Sequence, residues 1–161
     1  MNFPAPCLVK RTVALFEKIP YSLIAFIARF SIAAVFWKSG QTKVEGFAID
    51  LISGTFQWGE PKLAASTLFL FRSEYQLPLL SPEVAAHLAT FAEHFFPVLI
   101  LLGFATRFSA LALIGMTLTI QLFVYPDAYP THGTWLALLL LLLAKGPGWL
   151  SIDHLIARRY R

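Results

Sequence analysis

The sequence has few charged residues and a single cysteine, and each scarcity excludes a class of protein. Only 14% of the 161 residues are charged, 57% are apolar, and the mean hydropathy is +0.65. A soluble domain of this length needs more charge on its surface, whereas helices that face lipid do not. Cys7 alone cannot form an intrachain disulfide, a CxxC redox pair or a thiolate metal cage. The composition therefore predicts an integral membrane protein in contact with the lipid bilayer, with a single membrane domain over residues 1–161.

The sequence also lacks the motifs of several other classes. The net charge is +4, but the basic residues lie at the ends of apolar runs rather than in a stripe with interleaved aromatics, so we expect no nucleic-acid partner. We find no nucleophile with its base, no phosphate-binding glycine loop and no CxxCH haem motif. His87 and His94 are two helical turns apart, too far for a chelating pair. We therefore expect neither a metal site nor a covalent cofactor.

Four apolar stretches predict transmembrane helices. The first shows no clear signal-peptide cleavage site, so we expect an uncleaved span. The fourth is the weakest, because residues 131–146 extend only about 24 Å as a helix against a hydrocarbon core of about 30 Å. The predicted spans are 21–38, 84–104, 107–125 and 131–149. The expected fold class is an all-α four-transmembrane-helix bundle.

The segment between the first two spans, residues 39–83, is predicted to lie on the outer face. Residues 44–56 have apolar side chains at helical spacing, which predicts a helix in the membrane interface. Residues 61–71 begin with proline and are too few to span, so we expect an interfacial or re-entrant helix. Ser81 is the expected N-cap of the second span.

The distribution of basic residues predicts the orientation. Lys38, Lys43, Lys62 and Arg72 fall on one side of the predicted spans, and twice as many basic residues fall on the other. That larger set is Lys10, Arg11, Lys18, Arg107, Lys145, Arg158, Arg159 and Arg161. The positive-inside rule then places both termini in the cytoplasm.

Two opposite charges lie inside the predicted spans. Arg29 lies about nine residues into an outward-running helix and Glu93 about ten into an inward-running one, so the 1.5 Å rise per residue places both near the midplane. An ionisable side chain at that depth costs at least a few kcal/mol and is rarely without a role. We predict that Arg29 and Glu93 face each other. The pair would either fix the packing or form the polar floor of a ligand or proton site.

Further polar and aromatic side chains are predicted toward the outer face. Glu93 and Arg29 are the candidate catalytic residues, and the candidate ligand-binding residues are Lys43, Thr90, His94, Gln121 and Trp37. Together they could line a cavity between the helices. Gln121 could equally bond a neighbouring helix.

Three stretches resemble the DoxX family of membrane proteins. RFSIAAVFWKSGQTK (29–43) is similar to the family's first span, with an embedded arginine followed by Gly40-x-x-Lys43. Glu93 followed by LILLGFATRFSALAL (99–113) resembles its second span, glycine turn and third span, and GPGWLSID (146–153) resembles its ending. One departure is Phe96-Pro97, where the family usually has a glycine a turn after the glutamate.

The resemblance implies a four-helix protein of the bacterial inner membrane, in a family that includes relatives of a thiosulfate:quinone oxidoreductase subunit and members linked to oxidative and thiol stress. It suggests a redox- or stress-associated subunit that binds a quinone-like or small sulfur-containing ligand and acts with a membrane or periplasmic redox partner. If the chain is catalytic, we expect a subunit of a quinone-linked oxidoreductase. A membrane scaffold without chemistry of its own and a small solute or metal-stress-linked transporter are the alternatives.

Overall fold

The computed structural model describes residues 5–50 and 53–160, with side chains described from residue 8 onward. Within these ranges the chain forms seven α-helices and one two-stranded sheet. The helices are α1 (Ala5–Phe16), α2 (Tyr21–Gln41), α3 (Ala65–Ser73), α4 (Pro82–Leu102), α5 (Thr106–Phe123), α6 (Tyr129–Lys145) and α7 (Ile152–Arg159). The strands are β1 (Val44–Asp50) and β2 (Thr55–Leu63), and a 3₁₀ turn covers Pro126–Ala128.

Three of these helices, α2, α4 and α5, are long and apolar enough to cross a membrane. They overlap the predicted spans 21–38, 84–104 and 107–125. The predicted fourth span, 131–149, overlaps α6, which has 17 residues and therefore a length of about 26 Å. In its described part the chain is thus mostly helical, with three candidate membrane-spanning helices.

Helices α2, α4, α5 and α6 pack into a bundle in which α2 and α5 each contact both α4 and α6. The α2 face toward its neighbours carries small buried residues, which let the helix backbones approach closely. Larger side chains fill the space between the helices. The buried apolar residues of this core are Ala25, Ala28, Ile32, Ala33, Phe36, Ile100, Ala110, Leu113, Leu139 and Leu142.

One end of the bundle is closed around the turn between α4 and α5. Gly103 ends α4 in the left-handed conformation, with φ of 68°, which glycine adopts at little cost. The carboxylate of Asp153 accepts hydrogen bonds from the backbone N–H groups of Ala105 at 2.8 Å and Thr106 at 2.9 Å. A carboxylate at this position satisfies N–H groups that the first turn of α5 leaves free. Asp153 therefore caps α5 from the C-terminal segment.

Strands β1 and β2 pair as an antiparallel hairpin, so the interfacial helix predicted over residues 44–56 is wrong for the described residues 44–50 and 55–56. Val44 pairs with Leu63 and Asp50 with Thr55 in an antiparallel ladder. Gly46, with φ of +83°, lies at the register shift in β1 and leaves no room for a side chain against β2. The apolar spacing of this stretch is compatible with a helix, but the pairing of β1 with β2 makes it a strand. Gly46 favours the bulge in that strand.

The short helix expected over residues 61–71 is present but displaced. Pro61 lies in β2, where the second strand of a two-stranded sheet tolerates a residue without an N–H group. Helix α3 begins four residues later, and the carbonyl of Lys43 accepts from Ala64 N at 2.9 Å and from Thr67 Oγ1 at 3.2 Å. The predicted N-cap of the following helix is confirmed, since Ser81 Oγ accepts from Val84 N.

Candidate functional site

Helices α2 and α4 pack with a marked axial offset. A side chain at Gly40, near the end of α2, would lie 2.9 Å from the His94 ring and 3.1 Å from Glu93 Cβ. At the opposite end of the pair, Gly103 lies against Arg29. Because Glu93 is eleven residues from the first residue of α4, the first turns of α4 extend roughly 16 Å beyond the end of α2.

This offset makes the predicted Arg29–Glu93 pair wrong. Arg29 is buried, and its Nη1 donates to the carbonyl of Leu101 at 3.1 Å while Nη2 donates to that of Leu150. Leu101 is eight residues beyond Glu93, which is roughly 12 Å along α4. The prediction assumed that both spans begin at the same depth. Arg29 instead holds the end of α4 to the segment before α7.

Glu93 is paired with Lys43. Lys43 Nζ lies 2.7 Å from Glu93 Oε2, and the two side chains are 14% and 3% exposed. Ser39 Oγ donates to Glu93 Oε1 at 3.1 Å and accepts from Lys43 Nζ at 3.0 Å. Ser39 lies in the last turn of α2 and Lys43 in the turn that follows it, and both side chains reach Glu93. The three side chains form a closed triad in which the buried carboxylate is neutralised.

This triad opens onto a cavity of about 320 Å³ between the halves of the helices that lie near α3. Its wall is mostly apolar, with the triad residues, a histidine and three further hydroxyl groups as polar members. The lining residues are Ser39, Lys43, Phe71, Tyr75, Leu77, Leu80, Ala85, Leu88, Ala89, Ala92, Glu93, Met116, Thr119, Ile120, Val124, Tyr125, His132 and Trp135. An apolar cavity with a few converging polar groups is the usual form of a small-molecule site.

Trp37 and His94, both predicted to bind ligand, are instead part of a hydrogen-bonded chain that holds β1 to the bundle. Trp37 Nε1 donates to the carbonyl of Ile49 at 3.0 Å, and its ring lies 5.2 Å from that of His94. Ile49 N donates to Gln41 Oε1 at 2.6 Å, and Gln41 Nε2 lies 2.9 Å from His94 Nε2. None of these side chains lines the cavity.

Thr90 and Gln121 also do not line the cavity. The carbonyl of Thr90 lies 2.8 Å from His94 Nδ1, and the Thr90 hydroxyl is buried among the described residues without a partner. Gln121 Oε1 lies 2.6 Å from His132 Nδ1, and its Nε2 donates to the carbonyl of Pro126. Of the predicted site residues, only Glu93 and Lys43 therefore line the cavity.

Two tyrosines line the cavity and contact each other. The hydroxyls of Tyr75 and Tyr125 are 2.7 Å apart, and Tyr125 Oη donates to Glu74 Oε1 at 2.8 Å. Tyr125 follows α5, and Tyr75 follows α3, so this contact joins the outer segment to the bundle. The hydrogen bond between Tyr125 and Tyr75, together with burial and the nearby Glu74 carboxylate, raises the pKa of the Tyr125 phenol above its usual value.

Several polar cavity residues were not predicted from the sequence, and Ser39 and His132 are the two that matter most for the site. Ser39 carries a recognisable signal, since it lies four residues before Lys43 on the same helical face. His132 lies in a stretch that the sequence marks only as a loop and a helix start. Its role depends on Gln121 and Trp135, whose proximity the sequence does not show.

Comparison with known proteins gives a family and one relative. The profile of the DoxX family, described as DoxX, matches residues 24–126, which include Arg29, Lys43 and Glu93. An uncharacterized protein of Haemophilus influenzae (strain ATCC 51907 / DSM 11121 / KW20 / Rd) is 30% identical over 97 residues. That match covers 55% of this chain and 64% of the relative's length. No solved structure gives a significant match.

Proposed function

The chain belongs to the DoxX family of membrane proteins, and we propose that it is a redox-associated subunit whose cavity binds a quinone-like ligand. The proposal rests on one observation above all, the Lys43–Glu93 ion pair in the wall of a mostly apolar cavity. A buried ion pair costs desolvation that an apolar pair of similar volume would avoid, so its presence in the wall of a cavity supports a role toward a ligand. A volume of about 320 Å³ suits an aromatic head group.

The charge balance of the cavity favours a quinone over a small sulfur-containing anion. Lys43 is already compensated by Glu93, so an entering anion gains no net electrostatic attraction from the pair. The apolar wall also offers little to replace the hydration of a small anion. A neutral ring with polar substituents loses less on entering and buries more apolar surface.

In this proposal Lys43 and Glu93 have separate roles. Lys43 Nζ donates a hydrogen bond to a ligand oxygen, and Glu93 exchanges a proton with it. Oxidation of a quinol to a quinone releases two electrons and two protons. We assign the electrons to a partner redox protein as acceptor, one proton to the Glu93 carboxylate and the second to water that enters from the outer side. Arg29 has no part in these steps.

We further propose that α6 is a fourth span and that the protein lies in the bacterial inner membrane with both termini in the cytoplasm. Tyr21 Oη donates to the carbonyl of Gly146 at one end of the bundle, while His132 contacts Gln121 at the other. Helix α6 therefore runs along the bundle beside α5. In a Cys7→Ser background, a membrane-impermeant maleimide added to intact cells should label Gln57→Cys but not Arg158→Cys. Labelling of Arg158→Cys but not of Gln57→Cys would show that the protein has the opposite orientation.

Mass spectrometry of lipids extracted from the detergent-purified protein tests the ligand. We expect the wild type to retain a quinone that Glu93→Gln loses, while both remain folded by thermal melt. Glu60→Gln is the matched control, because that glutamate lies on the hairpin outside the cavity lining. Equal quinone content in the wild type and Glu93→Gln would refute the assigned site.

A membrane scaffold is the second candidate function, and the β-hairpin is the observation that favours it. Phe56 and Trp58 on β2 are 56% and 77% exposed, an arrangement that suits docking of a membrane partner. A Phe56→Ser/Trp58→Ser variant that loses a co-purifying protein, in a wild type that retains no quinone, would favour this role. Quinone retained in both the wild type and the Phe56→Ser/Trp58→Ser variant would favour the quinone-binding function.

A further inference from the structure

We propose that His132 is the second polar contact of the ligand and that it selects ligands bearing a hydroxyl donor, such as a quinol or another phenol. This inference rests on the proposed ligand-binding function. His132 is only 3% exposed, lines the cavity, and belongs to α6, whereas Lys43 and Glu93 come from the region of α2 and α4. The cavity therefore has polar groups supplied by different helices.

The hydrogen-bond directions around His132 determine which ring nitrogen carries the proton. Gln121 Nε2 donates to the carbonyl of Pro126 at 2.6 Å, which orients the amide so that Oε1 points to His132 Nδ1. Reversing the amide would bring its oxygen against the Pro126 carbonyl, an acceptor against an acceptor. Since Gln121 Oε1 can only accept, Nδ1 must donate, and Nε2 of the neutral ring is then an acceptor.

The other ring nitrogen of His132, Nε2, is available to a ligand. In the part of the chain that the structure describes, no protein group forms a hydrogen bond with it, and the imidazole packs on Trp135 with ring centroids 5.0 Å apart. Because His132 is 3% exposed as a residue and lines the mostly apolar cavity, a ligand that supplies a donor to Nε2 gains more than one that does not.

Lys43 and His132 require opposite hydrogen-bonding groups on the ligand. Lys43 only donates, so it needs an oxygen acceptor on the ligand, whereas His132 Nε2 accepts and needs a donor. An oxidised quinone offers acceptors alone. A quinol or phenol offers a hydroxyl that can donate to His132, and its oxygen lone pairs can accept elsewhere. The geometry thus favours the reduced, hydroxyl-bearing form.

The test compares two probes that differ in a single donor, 4-octylphenol and its methyl ether 4-octylanisole. We measure equilibrium binding to the detergent-purified full chain. We expect the wild type to bind the phenol about tenfold more tightly, the usual effect of one buried hydrogen bond. His132→Phe should reduce that affinity ratio to about one. Gln121→Leu removes the acceptor that keeps the proton on His132 Nδ1, so it should lower the ratio partly. His87→Phe is the matched control, since His87 is exposed and outside the cavity lining.

The outcomes separate this inference from the proposed function. A wild type that binds a short-chain quinone but binds phenol and ether equally would overturn the role of His132 alone. The same holds if the phenol preference persists in His132→Phe. A wild type that binds neither the quinone nor the phenol would overturn the proposed function, and this inference with it. The wild-type comparison decides the question even if His132→Phe does not fold.

Discussion

Glu93 and Lys43 lie 2.7 Å apart, and the residue that supplies the ammonium group also holds the outer segment through its backbone. The Lys43 carbonyl accepts hydrogen bonds from Ala64 N and Thr67 Oγ1 at the start of α3. The side chain and the main chain of one residue thus connect α2, α4 and α3. A ligand that displaces Lys43 from Glu93 would therefore also act on the segment that flanks the cavity.

Glu93→Gln should destabilise the protein by about 3 kcal/mol, because it leaves a mostly buried ammonium group without its carboxylate. Denaturant unfolding in detergent measures the change, with Glu60→Gln as control. The double variant Lys43→Met/Glu93→Gln should recover most of the loss, because no unpaired charge remains. Additive losses in the double variant would mean that the two residues are not coupled.

Gly40→Ala should destabilise the protein by about 1–2 kcal/mol, because the added methyl group would lie 2.9 Å from the His94 ring. Alanine normally favours a helix over glycine, so the loss would be specific to this contact. The control is Gly115→Ala in α5, where nothing lies within 4 Å of the added Cβ and a gain of about 0.5–1 kcal/mol is expected. Similar effects of the two variants on thermal melting would argue against the close α2–α4 contact.

Membrane class and the three candidate spans were predictable from the sequence, because an apolar run of about twenty residues has few alternatives to a lipid-facing helix. The hairpin was not. Residues 44–56 match helical spacing, and only tertiary pairing with residues 55–63 decides between the two forms. Pro61 was likewise misread, because proline suits both a helix start and an edge strand.

Arg29→Met should cost about 3 kcal/mol of stability, because the carbonyls of Leu101 and Leu150 lose their buried donor. Quinone affinity measured on the folded fraction should stay unchanged, since Arg29 is outside the cavity lining. Arg72→Met is the control, because its ion pair with Glu83 is exposed and worth at most about 1 kcal/mol. Loss of quinone binding in folded Arg29→Met would show that Arg29 does contribute to the ligand site.

Tyr125→Phe should change the alkaline behaviour of the protein. The raised pKa of folded Tyr125 favours the protonated phenol, so its stabilising effect is present below about pH 10, the unfolded value, and is lost as the pH rises toward the folded pKa. Between about pH 9 and pH 11 the melting temperature of the wild type should therefore fall more than that of the variant. Parallel curves would show that the Tyr75–Tyr125–Glu74 contact does not form in solution.

The residues of the site were only partly predictable. Glu93 and Lys43 were found because an ionisable residue within or beside an apolar span is costly and thus informative. Their pairing was not, since it depends on the axial offset between α2 and α4, which close packing at Gly40 and Gly103 sets. His132 was missed for the same reason, because its contacts with α5 are tertiary.

Photolabelling with an azido-quinone, followed by peptide mass spectrometry, tests the central claim most directly. We predict that the label attaches to cavity-lining segments such as residues 116–125, that unlabelled quinone displaces it, and that Glu93→Gln loses it while Glu60→Gln keeps it. Label spread over the lipid-facing residues, undiminished by competitor and equal in both variants, would contradict a quinone site beside the Lys43–Glu93 pair.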